Sequence, residues 1–168
     1  MATPTALPTT FVAGDILTAA NMNLVRGAFR VLQVVQGSTA TVSTTPNNGT
    51  AYQDSGLTAT ITPLYNTSKV LVLISQAGIS NNNAAGAGTT LQLMRDGVSQ
   101  LIFGYSIGYS GSAAITRHNA SGLLLDSPAT TAAVTYKTQF KNITASGTVS
   151  VQVDNAVTST IILCEISA

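Results

Sequence analysis

Lys69 to Gly78 reads KVLVLISQAG, and this run decides the fold. Val70, Val72 and Ile74 are β-branched and alternate with leucines. Such side chains suit a pleated surface, and a near-continuous apolar run of this length implies a strand buried on both faces or at an oligomer seam. The stretch Ser159 to Ile166, STIILCEI, has the same character. Alternation puts Ile162, Cys164 and Ile166 on one face and Ile161, Leu163 and Glu165 on the other. A strand with apolar residues on both faces is either central in its sheet or pressed against a neighbouring subunit.

Strand signals continue on both sides of this run. Before it lie FRVLQVV from Phe29, the weakly alternating STATVSTT, the turn Asn47-Asn48-Gly49, then YQDSG, LTATIT and a turn over Pro63 to Ser68. After it comes SNNNAAGAG, Ser80 to Gly88, which reads as a flexible loop. LQLMRDGVSQLIFGYS is expected to be a hairpin turning at Asp96-Gly97. Gly104, Gly108 and Gly111 then break up a tyrosine-bearing loop. AITRHNASGLLLDSP, AVTYKTQFKN and GTVSVQV lead to the closing strand. About eight to ten short strands at roughly ten-residue spacing predict an all-β fold, an antiparallel β-sandwich or jelly roll.

The first residues differ. ATPTALPTTFVAG carries Pro4, Pro8 and several threonines, and predicts an extended arm with Phe11 and Val12 as apolar anchors. Thr18 is a good N-cap, Ala19, Ala20, Met22 and Leu24 follow, and Gly27 is a stop, so one short helix is expected over 18–26. A helix this short is not stable alone in water and must pack on something, another chain included. The expected division is therefore 1–27, arm and helix, and 28–168, sandwich. Leu7, Phe11, Val12, Ile16, Leu17 and Met22 are too few for a core but enough to attach the arm to an assembly.

Composition narrows the function. Of 168 residues, 45% are hydrophobic and only 8% charged, with a net charge of +1. Disorder through high charge is excluded, and seven Lys+Arg against six Asp+Glu leave no basic patch for nucleic acid. No apolar run approaches the ~20 residues of a membrane-spanning helix. MATPTALPTT has neither a basic start nor an apolar stretch, so no signal peptide is expected. Thr and Ser make up about a quarter of the chain, a bias that favours strands and turns. Small neutral polar coats of this kind are common on extracellular particle proteins.

Candidate chemistry is sparse. The one histidine, His118, has no nucleophile motif beside it and reads as a surface or interface residue. The one cysteine, Cys164, sits between Leu163 and Glu165 in an apolar strand and reads as a buried structural residue. Asp54, Asp96, Asp126 and Asp154 fall in turn-like contexts, where Asp bonds its own backbone, and no run of Ca²⁺-loop spacing occurs. The four Asn-x-Ser/Thr sequons, at Asn48, Asn66, Asn119 and Asn142, are about what composition alone produces. No catalytic residue, metal ligand or cofactor is expected. Tyr105 and Tyr109, in FGYSIGYSGS, have the composition of an adaptable recognition loop and of a packed glycine-rich turn alike.

Leu7 to Asn23, LPTTFVAGDILTAANMN, resembles the amino-terminal attachment segment of tailed-phage fibre and related virion proteins, with its pattern F-x-A-G-(D/Q)-x-L-T-A-A-x-M-N. Phe11, Ala13, Gly14, Asp15, Leu17, Thr18, Ala19, Ala20, Met22 and Asn23 fit it. Tyr52 to Val72 is similar to a block of small phage virion domains, Y-x-D-(S/T)-G-L-x-A-T-I-T-P-x-x-x-x-S-K-V-L-V, and Ser159 to Glu165 to their closing strand. The resemblance implies a jelly-roll domain, often trimeric, displayed on a phage capsid or tail and assembled in the host cytoplasm. Long fibres carry a shaft between attachment segment and tip, and this chain has no such stretch. Three functions follow in order: a capsid decoration or cement protein clamped by the arm, a short tail or baseplate fibre with Tyr105 and Tyr109 facing the host, and, remotely, a small β-sandwich glycosidase.

Overall fold

The computed structural model describes residues 30–154 and 157–167. The helix expected over 18–26 and the attachment residues Leu7, Phe11, Val12, Ile16, Leu17 and Met22 lie outside them. The described residues form ten strands and no helix: β1 (Val31–Thr39), β2 (Ser43–Thr44), β3 (Gln53–Ile61), β4 (Lys69–Asn82), β5 (Thr89–Arg95), β6 (Val98–Ile107), β7 (Ile115–Asp126), β8 (Val134–Asn142), β9 (Val149–Val151) and β10 (Ser159–Ile166).

These strands make two antiparallel sheets. The six-stranded sheet is built on β4, the longest strand. Along one side β4 pairs with β7 from Val70–Asp126 to Asn82–Ile115. Along the other it pairs first with β10, which pairs in turn with β1, and then with the short β9, which pairs with β2. The second sheet has the order β3-β8-β5-β6. The expected two-sided strands are thus both central. β4 buries Val70, Val72 and Ile74 inward, β10 buries Ile161 and Leu163 inward, and both keep apolar residues on the outer face.

Local chemistry sets the turns. The β5–β6 hairpin turns on Asp96 and Gly97, with φ of 46° and 87°, the left-handed pair that a two-residue hairpin of matching twist requires. Asn48, in the expected turn, also has positive φ, at 59°. Ser80–Asn82, expected in a loop, instead extends β4. Ser80 and Asn81 are buried, and their polar side chains are satisfied inside the fold, which is why a polar run continues as a strand.

The interior has two apolar clusters. One gathers Leu57, Ile61, Val70, Val72, Ile74, Leu93, Tyr136, Ile161 and Leu163, and the other Ile79, Leu91, Phe140, Val149 and Val151. Between them runs a buried polar belt. Ser55 and Thr138 hydroxyls lie 2.5 Å apart, Thr138 Oγ1 donates to Gln76 Oε1 at 2.9 Å, and Gln76 Nε2 donates to Ser159 Oγ at 3.0 Å. At the Asp96 end, Arg95 Nη1 meets both oxygens of Asp126 at 2.8 and 2.7 Å, and the Tyr136 hydroxyl donates to Asp126 Oδ2 at 2.7 Å. This joins β5 and β8 of one sheet to β7 of the other. Burial, reinforced by the Asp126 carboxylate, pushes the Tyr136 hydroxyl far above its ordinary pKa, so it remains a donor.

Candidate functional site

Strand direction gives the domain two distinct ends. β1 starts and β10 finishes at one end, where the Arg30 amide donates to Ser167 Oγ and the Ser167 amide to the Arg30 carbonyl, both at 2.9 Å. The turns over Pro63–Ser68 and Asp96–Gly97 lie at this same end. β4 runs 14 residues to the other end, a span of about 45 Å at ~3.3 Å per residue.

At that far end stand Tyr105 and Tyr109. Tyr105 is 76% and Tyr109 56% exposed. Tyr105 does not lie in a loop as expected: β6 continues to Ile107, and only Tyr109 belongs to the connection to β7. The glycine Gly104 that suggested a break sits inside the strand, where a Cβ would meet Ile107 Cδ1 at 2.5 Å.

The backbone under Tyr109 is pinned rather than loose. The buried Asn81 amide donates to the Ala87 carbonyl at 3.0 Å and also to the Gly108 carbonyl. The Gly86 amide donates to the Ser110 carbonyl at 2.7 Å, and the Tyr109 amide to Ser106 O at 3.2 Å. Thr144 Oγ1 donates to Gly86 O at 2.7 Å and Ser146 Oγ to Ala85 O at 2.6 Å. Three connections are therefore stitched together, and the tyrosines project from an ordered platform. Asn81 was not singled out by sequence, since a triple-Asn run carries the signature of a solvated loop.

The other polar residues have structural partners. His118 is exposed, and with Arg117, Asn119, Gly78, Val153, Asp154 and Val157 it lines an open depression of about 230 Å³. Arg117 there contacts the Ser80 hydroxyl and lies 3.7 Å from Asp154. Asn119 Oδ1 accepts from the Gly78 amide at 3.0 Å, and Asn142 is fully buried and donates to the Ser146 carbonyl at 2.8 Å, so both sequon side chains are engaged. Asp54 pairs with Lys137 at 2.8 Å, and that bond holds its carboxyl below the ordinary value. Asp96 caps the Thr135 amide at 2.9 Å. Glu165 is fully buried. Its Oε2 accepts from Gln33 Nε2 at 2.6 Å, and Oε1 from the amides of Leu64 and Tyr65 at 2.8 and 3.4 Å. Burial works against this carboxylate, but the hydrogen bonds outweigh it and hold its pKa below the ordinary value. Each of these acids is a clasp for a turn or a sheet pair. No three His, Cys, Asp or Glu side chains converge as a metal site among the described residues.

Cys164 corrects another expectation. It is half-buried, on the outer face of β10, because inward positions of that strand are taken by Ile161, Leu163 and Glu165. Around it the outer face of the six-stranded sheet is apolar, a feature that sequence alternation signalled only strand by strand. Leu123 and Leu125 on β7 are 64% and 54% exposed, and Val34 on β1 is 60% exposed.

No protein-family model matches the chain, and no curated protein matches it.

Proposed function

We propose that this chain is a non-enzymatic structural protein of the bacteriophage virion, a capsid decoration or cement protein held to the particle by its N-terminal arm. The sequence resemblance supplies the class. The observation that carries the proposal is polarity: the chain enters the sandwich at Arg30, and the ordered, uncharged platform with Tyr105 and Tyr109 lies at the opposite end. A protein anchored at its N-terminus would present that platform outward from the particle surface. The strand pairing supports a jelly roll, a class that recurs in viral capsid domains. Its eight long strands pair as a nested set, β1 with β10, β3 with β8, β4 with β7 and β5 with β6.

On this reading the partners are phage capsid or tail proteins, engaged by Leu7, Phe11, Val12, Ile16, Leu17 and Met22, and further copies of the chain in a homotrimer. Exposed Val98 and Ile102 on edge strand β6, and Ile115 on β7, support self-association, and a cyclic assembly covers such edges without propagating. The three-fold order comes from the resemblance. A second reading, a short tail or baseplate fibre, is favoured by the exposed tyrosines at the free end.

The test is incorporation. A chain lacking residues 1–14, which removes Leu7, Phe11 and Val12, is expected to fold and to be missing from assembled particles. Incorporation equal to that of the intact chain would overturn the proposal, and labelling of the intact chain in micrographs separates capsid from tail.

A further inference from the structure

We infer that residues 16–29 fold back over the outer face of the six-stranded sheet of their own chain, with Cys164 near the centre of the contact. The face itself is the first observation. In register across β7, β4, β10 and β1, one row is Leu125, Leu71, Cys164 and Val34, and the next is Leu123, Leu73, Ile162 and Gln36. Ile166 and Val31 extend the apolar surface toward the Arg30 end. Lys69, at that rim, is the one charged side chain among these outward positions, and its ammonium is bonded to Ser127 Oγ at 2.9 Å. A sheet face this apolar in a soluble chain is normally covered.

Connectivity names the cover. Residue 29 leads directly into β1, the edge strand of this sheet, whose Val31 lies opposite Ile166. Between the helix expected over 18–26 and Arg30 only three residues intervene, a reach of at most about 14 Å. The helix must therefore pack close to where β1 begins. Its length matches too: nine residues at ~1.5 Å rise make about 14 Å, and four strands spaced by ~4.8 Å span about 14 Å. Within that helix Ala20 and Leu24, four residues apart, share one face, and Arg26 is the single charge in 16–29, so a segment of low charge meets a neutral surface.

A second copy is the competing cover, and the area argues against it. Two to three rows across four strands give a footprint of roughly 250–400 Å², below the ~800 Å² per partner of a standard stable interface. This inference does not depend on the attachment role proposed for the arm. It divides the first 29 residues into a docked part, 16–29, and a preceding part left to reach a particle, and so narrows the attachment residues to Leu7, Phe11 and Val12, with Ile16, Leu17 and Met22 in the docked part.

Cys164, as the chain's one cysteine, is a built-in probe. Its reaction with N-ethylmaleimide, followed by mass, is compared in the native intact chain, in a chain lacking 1–14, in a chain lacking 1–29, and in full-length Leu24→Asp. Docking predicts slow labelling in the first two and labelling at least about tenfold faster in the last two, as for a locally opened contact. Leu24→Asp carries the comparison should the longer truncation fail to fold. Protection must also be unchanged on dilution. Equal rates in the intact chain and Leu24→Asp would overturn the inference, as would protection that falls on dilution together with particle mass, which would assign the face to a second copy. Loss of incorporation by the chain lacking 1–14 reports on attachment alone, so the two readings fail separately.

Discussion

Thr138 donates its hydroxyl hydrogen to Gln76 Oε1 at 2.9 Å across the middle of the sandwich, linking β8 of one sheet to β4 of the other. Both residues are fully buried, with an apolar cluster on each side. Two side chains that need each other fix the relative position of two sheets that apolar packing alone leaves free to slide. Replacing Thr138 by Val keeps the shape but leaves Gln76 Oε1 without this donor. The expected loss is about 1–3 kcal/mol by denaturant unfolding. The double variant Thr138→Val with Gln76→Leu is expected to lose less than the sum of the two single changes. Additive losses would show that the pair is not coupled.

Glu165 makes stability depend on acid. Its folded pKa lies below the ordinary carboxylate value, so its contribution is present above the unfolded value, near pH 4.3, and is lost as pH falls through the folded value. Glu165→Gln removes the charge that the Leu64 and Tyr65 amides and Gln33 were arranged to meet. At neutral pH the variant is expected to be less stable by about 1–3 kcal/mol. The gap should narrow as pH falls below about 4. A gap that stays constant down to pH 2 would mean that the effect is steric rather than electrostatic.

What could be read from the residues depended on the range over which they act. Asp96-Gly97 and Asn48 are local signals, and both turns stand where the sequence put them. The alternation in STIILCEI identified both faces of β10, because a strand's period is a property of the strand alone. Pairing between distant strands is not. The Asp126 clasp with Arg95 and Tyr136 depends on three strands meeting, and three turn-like or apolar contexts gave no sign of it. Ser80–Asn82 failed for the opposite reason. Small polar residues belong in solvent unless a buried network satisfies them, and here Asn81 does so by holding the Ala87 and Gly108 carbonyls. Cys164 was placed inside because the strand around it is mostly apolar, although alternation already put it on the face opposite Leu163. The exposed apolar face emerged only once Leu125, Leu71, Cys164 and Val34 were brought side by side.

Gly37 is required by a close approach between sheets. A Cβ at this position on β1 would collide with the backbone carbonyl oxygen of Thr58 on β3. Backbone cannot yield as a side-chain tip can, so Gly37→Ala is expected to cost more than the ~1–3 kcal/mol of ordinary overpacking. Gly111→Ala is the control, since a Cβ there meets nothing within 4 Å. Thermal unfolding should separate the two by many degrees, and equal midpoints would refute the close approach.

Tyr105 and Tyr109 separate the two virion readings. Both side chains are mostly in solvent, so Tyr105→Ser with Tyr109→Ser should change stability by no more than about 0.5 kcal/mol. The platform beneath them is held by backbone carbonyls and by Asn81, Thr144 and Ser146, none of which the substitutions touch. A decoration protein with these changes should still fold, still enter particles, and leave adsorption of those particles to host cells unaltered. A receptor-binding fibre would behave otherwise. Exposed tyrosines on a rigid support are efficient contact groups because they bring large area at small entropic cost, and their removal would lower adsorption at least about tenfold. Adsorption counts on particles carrying the double variant therefore decide the location. Unchanged adsorption keeps the chain on the capsid, and a selective loss with normal incorporation moves it to the tail.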